Sequence, residues 1–196
     1  MRLGADVSEH QRGIDLRGLD FAVIRTTDGD YRDAAYPEHV DAATRAGLDF
    51  AAYHFLRAPS EGTSVAEQVA ASVAVLGTTR PPMWLDVESP AGLSLADVRE
   101  AHRCFTAAGV DVAGVYTSAA YWRRHMRLAD IREFGRLWLA AWGDNSVVDL
   151  AAPEPVLALP AASAWPHPLG LPTPSVWQFT SRGLIRGVEV DLNLAR

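Results

Sequence analysis

The sequence predicts an α/β fold, an irregular TIM-like (β/α) barrel of eight strands with a reduced set of helices. Short apolar runs rich in Val, Ile, Phe, Tyr and Trp alternate with segments of helical periodicity, as in strand–helix units around a mostly parallel sheet. The chain has 196 residues and room for only three or four helices, whereas a complete eightfold barrel typically needs about 250 residues. A doubly wound open sheet is the alternative, but no glycine-rich dinucleotide turn follows the first strand.

Each predicted strand is a short run of β-branched, aromatic and aliphatic residues. A weaker run at residues 162–165 is the candidate for an eighth strand. Because helical segments separate most of the runs, we expect neighbouring strands to lie parallel. The seven clear runs cover residues 3–8, 21–26, 50–56, 83–88, 112–117, 137–142 and 175–180.

Three helices are predicted from residues that start and stop helices. A serine or proline precedes each helical repeat of apolar residues, and a glycine follows it. The pairs of start and stop residues are Pro37 and Gly47, Ser64 and Gly77, and Ser94 and Gly109.

The last quarter of the chain has a different composition. Seven of the twelve prolines lie between Pro153 and Pro174, a density that leaves strands and loops but no helix of useful length. Neither an internal repeat nor a linker before a second core is visible. We therefore expect one domain over residues 1–196.

The charged residues exclude several classes of protein. Eighteen basic side chains against 24 acidic ones give a net charge of −6, which argues against a protein that binds duplex nucleic acid. All the basic residues are arginine, so a Schiff-base lysine, a P-loop lysine or a lysine general base is impossible.

The scattered histidines give a zinc hydrolase little support. The single cysteine, Cys104, is expected to be a small buried residue of a helix.

The N-terminal residues contain no apolar run of signal-peptide length, and no stretch of about 18 uncharged apolar residues occurs anywhere. We expect a protein that does not enter a membrane. Export would then depend on phage-type release, on a separate export route or on a leader already removed.

Two carboxylates stand at the end of a predicted strand, where the site of a parallel barrel is built. Asp86 and Glu88 are two residues apart after an apolar run, so a strand would place them on one face with Cα atoms roughly 6 to 7 Å apart. Two partly buried acids repel each other and lose hydration, which raises at least one pKa, and paired carboxylates perform glycoside hydrolysis. The alternative is that the pair rims a solvated loop or holds a cation.

Asp6 and Asp191 would reach the same mouth if the barrel closes with its first strand against its last. Four carboxylates in one pocket are hard to explain as stabilising devices. Tyr53, Tyr116 and Trp142 are candidates for stacking on sugar rings, with core filling as the alternative. Two further tryptophans, Trp84 and Trp177, are expected in the core.

Two other clusters are interpreted as structural. Residues 28–30 resemble the start of a calcium loop, but His39 stands where its final glutamate should be, so a turn is expected. A group of arginines on a segment expected to be helical is interpreted as a solvated face paired with Asp130 and Glu133, the alternative being an anion-binding patch. These arginines are Arg123, Arg124, Arg127, Arg132 and Arg136.

Eight short motifs in this order resemble those of the glycoside hydrolase family 25 muramidases, the Chalaropsis-type lysozymes, which include phage endolysin catalytic domains. The resemblance extends over nearly the whole chain. The motifs are residues 4–8 with Gln11 and 14–15, then 21–25, 46–48, 52–55, 85–88, 114–117, 139–142, and 177–181 together with 191–193.

The resemblance implies an irregular eight-stranded barrel that cleaves the β-1,4 bond between N-acetylmuramic acid and N-acetylglucosamine in peptidoglycan. It implies that Glu88 is the general acid, that Asp86 steadies an oxazolinium formed by the substrate, and that Asp6 and Asp191 support them. The residues it assigns to the sugar site are Tyr53, Tyr116, Trp142 and Gln178. We expect a monomer that acts on bacterial cell walls without a metal or an organic cofactor.

Two other functions stay open at this point. A chitinase-like enzyme is the first, since the same pair of acids serves any 2-acetamido sugar. A wall-binding module that keeps the groove without turnover is the second. The new reducing end distinguishes the two enzymes, and a Glu88→Gln variant tests the module.

Overall fold

A ring of eight strands closes between the two ends of the chain. The computed structural model describes residues 1–127, 129–150, 160 and 162–196. The strands in chain order are β1 (Arg2–Val7), β2 (Phe21–Asp28), β3 (Tyr31–Arg32), β4 (Asp49–Phe55), β5 (Met83–Asp86), β6 (Val112–Ser118), β7 (Arg136–Ala140), β8 (Val148–Asp149), β9 (Val176–Ile185) and β10 (Val188–Ala195). All but the two-residue strands β3 and β8 belong to the ring, which runs β1-β2-β4-β5-β6-β7-β9-β10 and returns to β1.

Among the residues that the structure describes, four α-helices pack against these strands: α1 (Tyr36–Ala46), α2 (Val65–Leu76), α3 (Leu95–Ala107) and α4 (Ala119–Met126). The side chains of Ser64 and Ser94 accept hydrogen bonds from the third residue of α2 and α3, and Gly47 ends α1 at a φ of 70°. The predicted barrel with few helices is therefore confirmed. Within the described ranges, no helix has the length and apolar character needed to cross a membrane.

The eighth strand is not where the sequence analysis placed it. Residues Ala162–Ala164 form a short 3-10 helix, and the ring is completed instead by β10. Arg186 and Gly187, with φ values of 49° and 84°, connect β9 to β10 by a tight turn. A two-residue turn with positive φ makes a hairpin, so β10 lies antiparallel to β9 and to β1, and the expectation of parallel neighbours fails there.

The other structural interpretations have mixed outcomes. Residues 28–31 turn between the antiparallel strands β2 and β3, as expected. Helix α4 ends at Met126 before a residue with positive φ, so the arginine segment is α-helical only in its first part, and Arg132 lies in a short 3-10 helix, Ile131–Phe134. Arg132 pairs with Asp130 at 2.9 Å, whereas Glu133 pairs with Arg99.

Cys104 is half-buried on α3. The loop predicted in the proline-rich stretch falls largely on residues 151–159 and residue 161, which lie outside the described residues.

Aromatic rings fill the inside of the barrel beneath its mouth. Alternate residues of the strands form an apolar cluster of their own, separate from the larger core that includes the helices. The centroid of the Trp138 ring lies 6.2 Å from that of Tyr53, 5.8 Å from that of Trp84 and 4.5 Å from that of Tyr116, and each pair is edge-on. Trp84 and Trp177 are both buried, as predicted.

Strands β6 and β7 approach each other closely at Gly114. A Cβ atom on this residue would lie 1.9 Å from the carbonyl oxygen of Arg136, so no other residue fits. The register between β5 and β6 also shifts at this point. The irregularity sets the position of Tyr116, which pairs with Asp86 two residues further along.

His54 of β4 is fully buried, and its Nδ1 lies 2.6 Å from the Thr27 hydroxyl oxygen. Burial lowers the pKa of His54 from 6.5 to about 3. The unfolded chain therefore binds a proton at this residue at a higher pH than the folded protein does. The free energy of unfolding must fall as the pH drops from about 6.5 towards 3.

His54→Gln removes this titration. Between pH 7 and pH 5 the wild type should lose about 2 kcal/mol more unfolding free energy than the variant, measured by urea unfolding. His10→Gln changes an exposed histidine and should behave as the wild type. Equal losses in the wild type and in His54→Gln would contradict the prediction.

Candidate active site

The strand register brings the four predicted carboxylates to one end of the barrel. Asp6 on β1 lies directly opposite Asp191 on β10. Asp86 is the last residue of β5, and Glu88 follows two residues beyond the strand, which ends earlier than predicted. Burial raises the pKa of Asp86 and of Glu88, and repulsion adds to both shifts, from Glu88 and Asp6 on Asp86 and from Asp191 on Glu88. The four side chains thus form a single electrostatic group.

Asp6 is held by two amide side chains. Its Oδ2 accepts hydrogen bonds from Asn193 Nδ2 at 2.7 Å and from Gln178 Nε2 at 3.0 Å. Burial raises the pKa of Asp6 to about 6, although both hydrogen bonds favour the charged form. These bonds fix the carboxylate across the seam between the first and last strands.

Gln178 connects the aromatic side of the pocket to its acidic side. Its Oε1 accepts hydrogen bonds from the Tyr116 hydroxyl at 2.9 Å and from Trp142 Nε1 at 2.7 Å. Its Nε2 donates to Asp6, and to Asp191 Oδ2 at 3.3 Å. Two donors on the oxygen side and two carboxylates on the nitrogen side allow only this orientation of the amide.

Two residues of this network were not among the predicted site residues. Asn193 Oδ1 accepts a hydrogen bond from Trp138 Nε1 at 2.7 Å, so the aromatic filling of the barrel also orients the amide that holds Asp6. Asn193 lies two residues after Asp191 on the same strand, and this spacing was the available signal. Trp138 lies within a predicted strand, but nothing in the sequence shows what its indole contacts.

Asp86 has an oxygen that no hydrogen bond reaches. Its side chain is buried, and Oδ1 has no partner in the part of the chain that the structure describes. Burial raises the pKa of Asp86 well above its usual range, and repulsion from Glu88 and Asp6 adds to the shift. A buried acceptor without a donor is suited to a donor that a ligand supplies.

Glu88 is half-buried at the mouth and holds its proton near neutral pH. Burial raises the pKa of Glu88 to about 7, and repulsion from Asp191 acts in the same direction. The pKa of Asp191 rises to about 8 through burial, repulsion from Asp6 and a hydrogen bond to Asp6. The pocket therefore contains protonated carboxyl groups at pH 7, which general acid catalysis requires.

One arginine that the sequence analysis did not select lies beside the acids. The Arg25 side chain is buried, with Nε 2.8 Å from Asp33 and a terminal nitrogen 3.2 Å from Glu9. Its charge lowers the pKa of Asp86, opposing the larger effect of burial. Arg25 is thus a fixed positive charge within the electrostatic range of the acidic pocket.

The aromatic candidates differ in exposure. Trp142 is 40% exposed while its indole nitrogen is held by Gln178, so its ring lies at the rim with a surface available for stacking. Tyr53 is half-buried against Trp138. Tyr116 is 5% exposed, which leaves its ring in the barrel filling and its hydroxyl on Gln178.

A barrel whose mouth combines protonated and unprotonated carboxyl groups with an aromatic rim has the fold and the reactive groups of a glycoside hydrolase. The family model described as glycosyl hydrolases family 25 matches residues 5–188. The chain belongs to this family, and the resemblance of its motifs is confirmed.

Known relatives agree with this assignment. Lysozyme M1 of Streptomyces globisporus is 28% identical over an alignment of 212 positions, gaps included. The alignment covers 97% of this chain but only 65% of that protein. The bacterial lysozyme of Streptomyces coelicolor superposes with a TM-score of 0.74 at 26% identity, over 100% of this chain and 92% of that one. The catalytic domain of endolysin ply40 from bacteriophage P40 of Listeria monocytogenes has the same fold, with a TM-score of 0.74 at 22% identity, over 100% and 93% of the two chains.

Asp191→Asn should stabilise the protein at alkaline pH. The folded protein retains the Asp191 proton up to about pH 8, whereas an ordinary aspartate releases it near 3.8, so stability falls as the pH rises between these values. At pH 8 the variant should melt about 2 to 4 °C above the wild type, a gain of roughly 1 kcal/mol. At pH 4 the two proteins should melt at about the same temperature. Asp111→Asn, an exposed control, should show no such trend in thermal melts, and a variant less stable than wild type at pH 8 would refute the expectation.

Proposed function

We propose that residues 1–196 form one catalytic domain with muramidase activity, which hydrolyses the β-1,4 bond between N-acetylmuramic acid and N-acetylglucosamine in peptidoglycan. The observation that carries the proposal is the pair formed by Glu88, whose pKa is about 7, and Asp86, whose buried Oδ1 lacks a partner. Membership of glycosyl hydrolases family 25 and the similarity to two streptomycete lysozymes support this substrate.

Glu88 acts first as the general acid. Its carboxyl proton passes to the glycosidic oxygen as the bond from that oxygen to C1 of the muramic acid breaks. The carbonyl oxygen of the 2-acetamido group forms a bond to C1 and yields an oxazolinium. The Glu88 carboxylate then takes a proton from a water molecule that attacks C1, which restores the acetamido group and the acid.

Asp86 stabilises the positive charge of this intermediate. Its unpartnered Oδ1 accepts a hydrogen bond from the acetamido N–H, and the developing cation favours the ionised form of Asp86. Asp6 raises the pKa of Asp86 and Arg25 lowers it, so Arg25 acts in the same direction as the cation and favours the carboxylate form of Asp86.

The rest of the network positions the sugar. The indole of Trp142, held by Gln178, offers a flat apolar surface to a pyranose ring at the rim. Tyr53, which packs edge-on against Trp138, offers the sugar a second aromatic surface. Asp6 and Asp191 share protons and set the charge of the pocket that the substrate enters.

Glu88→Gln should abolish hydrolysis, because the amide cannot transfer a proton, with a loss of at least ~10³-fold in kcat. The measurement is clearing of purified peptidoglycan, with mass spectrometry of the released fragments. Glu100→Gln on α3 is the matched control and should keep full activity.

New muramic acid reducing ends from the wild type and the control alone would support the proposal. Glucosamine reducing ends would instead favour the chitinase-like enzyme. Binding without release by both wild type and Glu88→Gln, on walls from several bacteria, would favour a wall-binding module.

The pH dependence follows from the protonation of Glu88. The general acid must carry its proton, so kcat/KM should fall as the pH rises through about 7, approaching tenfold per pH unit above pH 8. Initial rates of reducing-end release between pH 5 and pH 9 measure this limb. A rate that stays constant to pH 9 would exclude Glu88 as the acid.

A further inference from the structure

The side chain of Glu88 is not held in place directly. No hydrogen bond from the described residues reaches its carboxyl group, so its position depends on the backbone on either side. On the N-terminal side, Val87 N donates to the Tyr116 carbonyl at 2.9 Å, and the Thr117 hydroxyl donates to the Val87 carbonyl at 2.8 Å. These bonds extend the barrel wall to residue 87.

Ser89 holds the C-terminal side and is itself held from two directions. It is fully buried, and its hydroxyl donates to the Glu61 carboxylate. Its carbonyl oxygen accepts hydrogen bonds from the Tyr121 hydroxyl at 3.0 Å and from Gly92 N at 2.9 Å. The Glu61 contact comes from the loop between β4 and α2, and the Tyr121 contact comes from helix α4.

Both partners of Ser89 are fixed in turn. Glu61 accepts hydrogen bonds from Ala58 N at 2.9 Å and from Arg57 at 3.1 Å. The hydrogen bond from Ser89 is the main reason that the pKa of Glu61 lies below its usual range, so the acceptor is ionised and the bond is charge-assisted. The Tyr121 hydroxyl also accepts a hydrogen bond from Leu93 N at 2.9 Å.

We infer that Glu61 and Tyr121 are positioning residues for the general acid, because together they fix Ser89 and hence the backbone that carries Glu88. The inference rests on the role proposed for Glu88 above. Neither residue hydrogen-bonds to any of the four pocket carboxylates, and neither is needed to form the barrel ring. Proton transfer requires the donor within about 0.5 Å of its working position, and a displacement of about 1 Å can lower a rate ~100-fold.

Release of Ser89 should also change the acidity of Glu88. The charged and titratable groups that act on Glu88, or on which it acts, come from five elements: Asp6 on β1, Asp86 on β5, Tyr116 on β6, Tyr121 on α4 and Asp191 on β10. A mobile Glu88 would gain water and move away from these groups. Its pKa would then fall towards the ordinary value, and the alkaline limb of the rate profile would move to lower pH.

The experiment compares Glu61→Ala, Glu61→Gln and Tyr121→Phe with the wild type. Steady-state rates on solubilised peptidoglycan are measured as a function of pH. We expect kcat to fall ~10- to 100-fold in Glu61→Ala and about 3- to 10-fold in Tyr121→Phe, with KM within about twofold of the wild type. The alkaline limb should move down by at least about half a pH unit in both. Glu61→Gln retains an acceptor oxygen for the Ser89 hydroxyl and should recover most of the rate.

Ser94→Ala is the matched control. Ser94 makes the same kind of serine–carboxylate hydrogen bond, to Asp97 at the start of α3, so its loss has a comparable effect on stability away from the pocket. We expect this variant to lose thermal stability but to keep the wild-type kcat and pH profile. If Glu61→Ala does not fold, Tyr121→Phe, which removes one hydroxyl group, provides the same readouts.

The outcomes separate the inference from the proposed function. A wild type that releases muropeptides, together with Glu61→Ala and Tyr121→Phe variants that keep its kcat and alkaline limb, would overturn the inference alone. A rate loss without any movement of the limb, or without recovery in Glu61→Gln, would reduce the two residues to structural ones and also overturn it. A wild type without hydrolytic activity would remove the proposed function and this inference with it.

Discussion

The seam between β1 and β10 is the constraint on which the site depends. Closing the ring places Asp6 opposite Asp191, so the fold itself forces two carboxyl groups together in a buried place, where both resist ionisation. Asn193 and Gln178 donate to Asp6 across the seam and offset part of the repulsion. Gln178 in turn fixes Trp142, and Asn193 is fixed by Trp138. The aromatic filling, the acids and the rim are therefore parts of one hydrogen-bonded structure that begins at the seam.

The interactions that prepare this pocket for chemistry also oppose folding. Burial raises the pKa values of Asp6, Glu88 and Asp191 to between about 6 and 8, and a carboxyl group that resists ionisation makes the folded state less stable at higher pH. Stability must come from elsewhere, mainly from the large core between strands and helices. The rings that pack edge-on around Trp138 add a rigid apolar base beneath the acids.

The sequence was informative where local chemistry decides the outcome. Serine caps, glycine stops and acids at strand ends depend on neighbours in the chain, so the helices and the four carboxylates could be predicted from it. The roles of Arg25 and Trp138 could not, because they follow from register between distant strands. Asn193 was indicated only by its spacing of two residues from Asp191. The prediction of a strand at residues 162–165 was wrong. Trp165 is buried outside the sheet, and its indole nitrogen donates a hydrogen bond to the Pro174 carbonyl. The alternation of Val188–Ala195 was the better signal, since Asp191 and Asn193, two residues apart, both join the hydrogen-bond network of the pocket.

The seam also sets the order in which the molecule can become active during its synthesis. Asp6 is synthesised well before its partners Gln178 and Asn193, which lie 172 and 187 residues further along the chain. A nascent chain can form the units from β2 to β7 locally, whereas the pocket waits for the hairpin of β9 and β10 to insert against β1. Asp191, whose charge adds to the effect of burial on the pKa of Glu88, reaches the pocket only with this hairpin. The complete acidic site, and with it the ability to cleave a glycan, would therefore arise in one step when the ring closes.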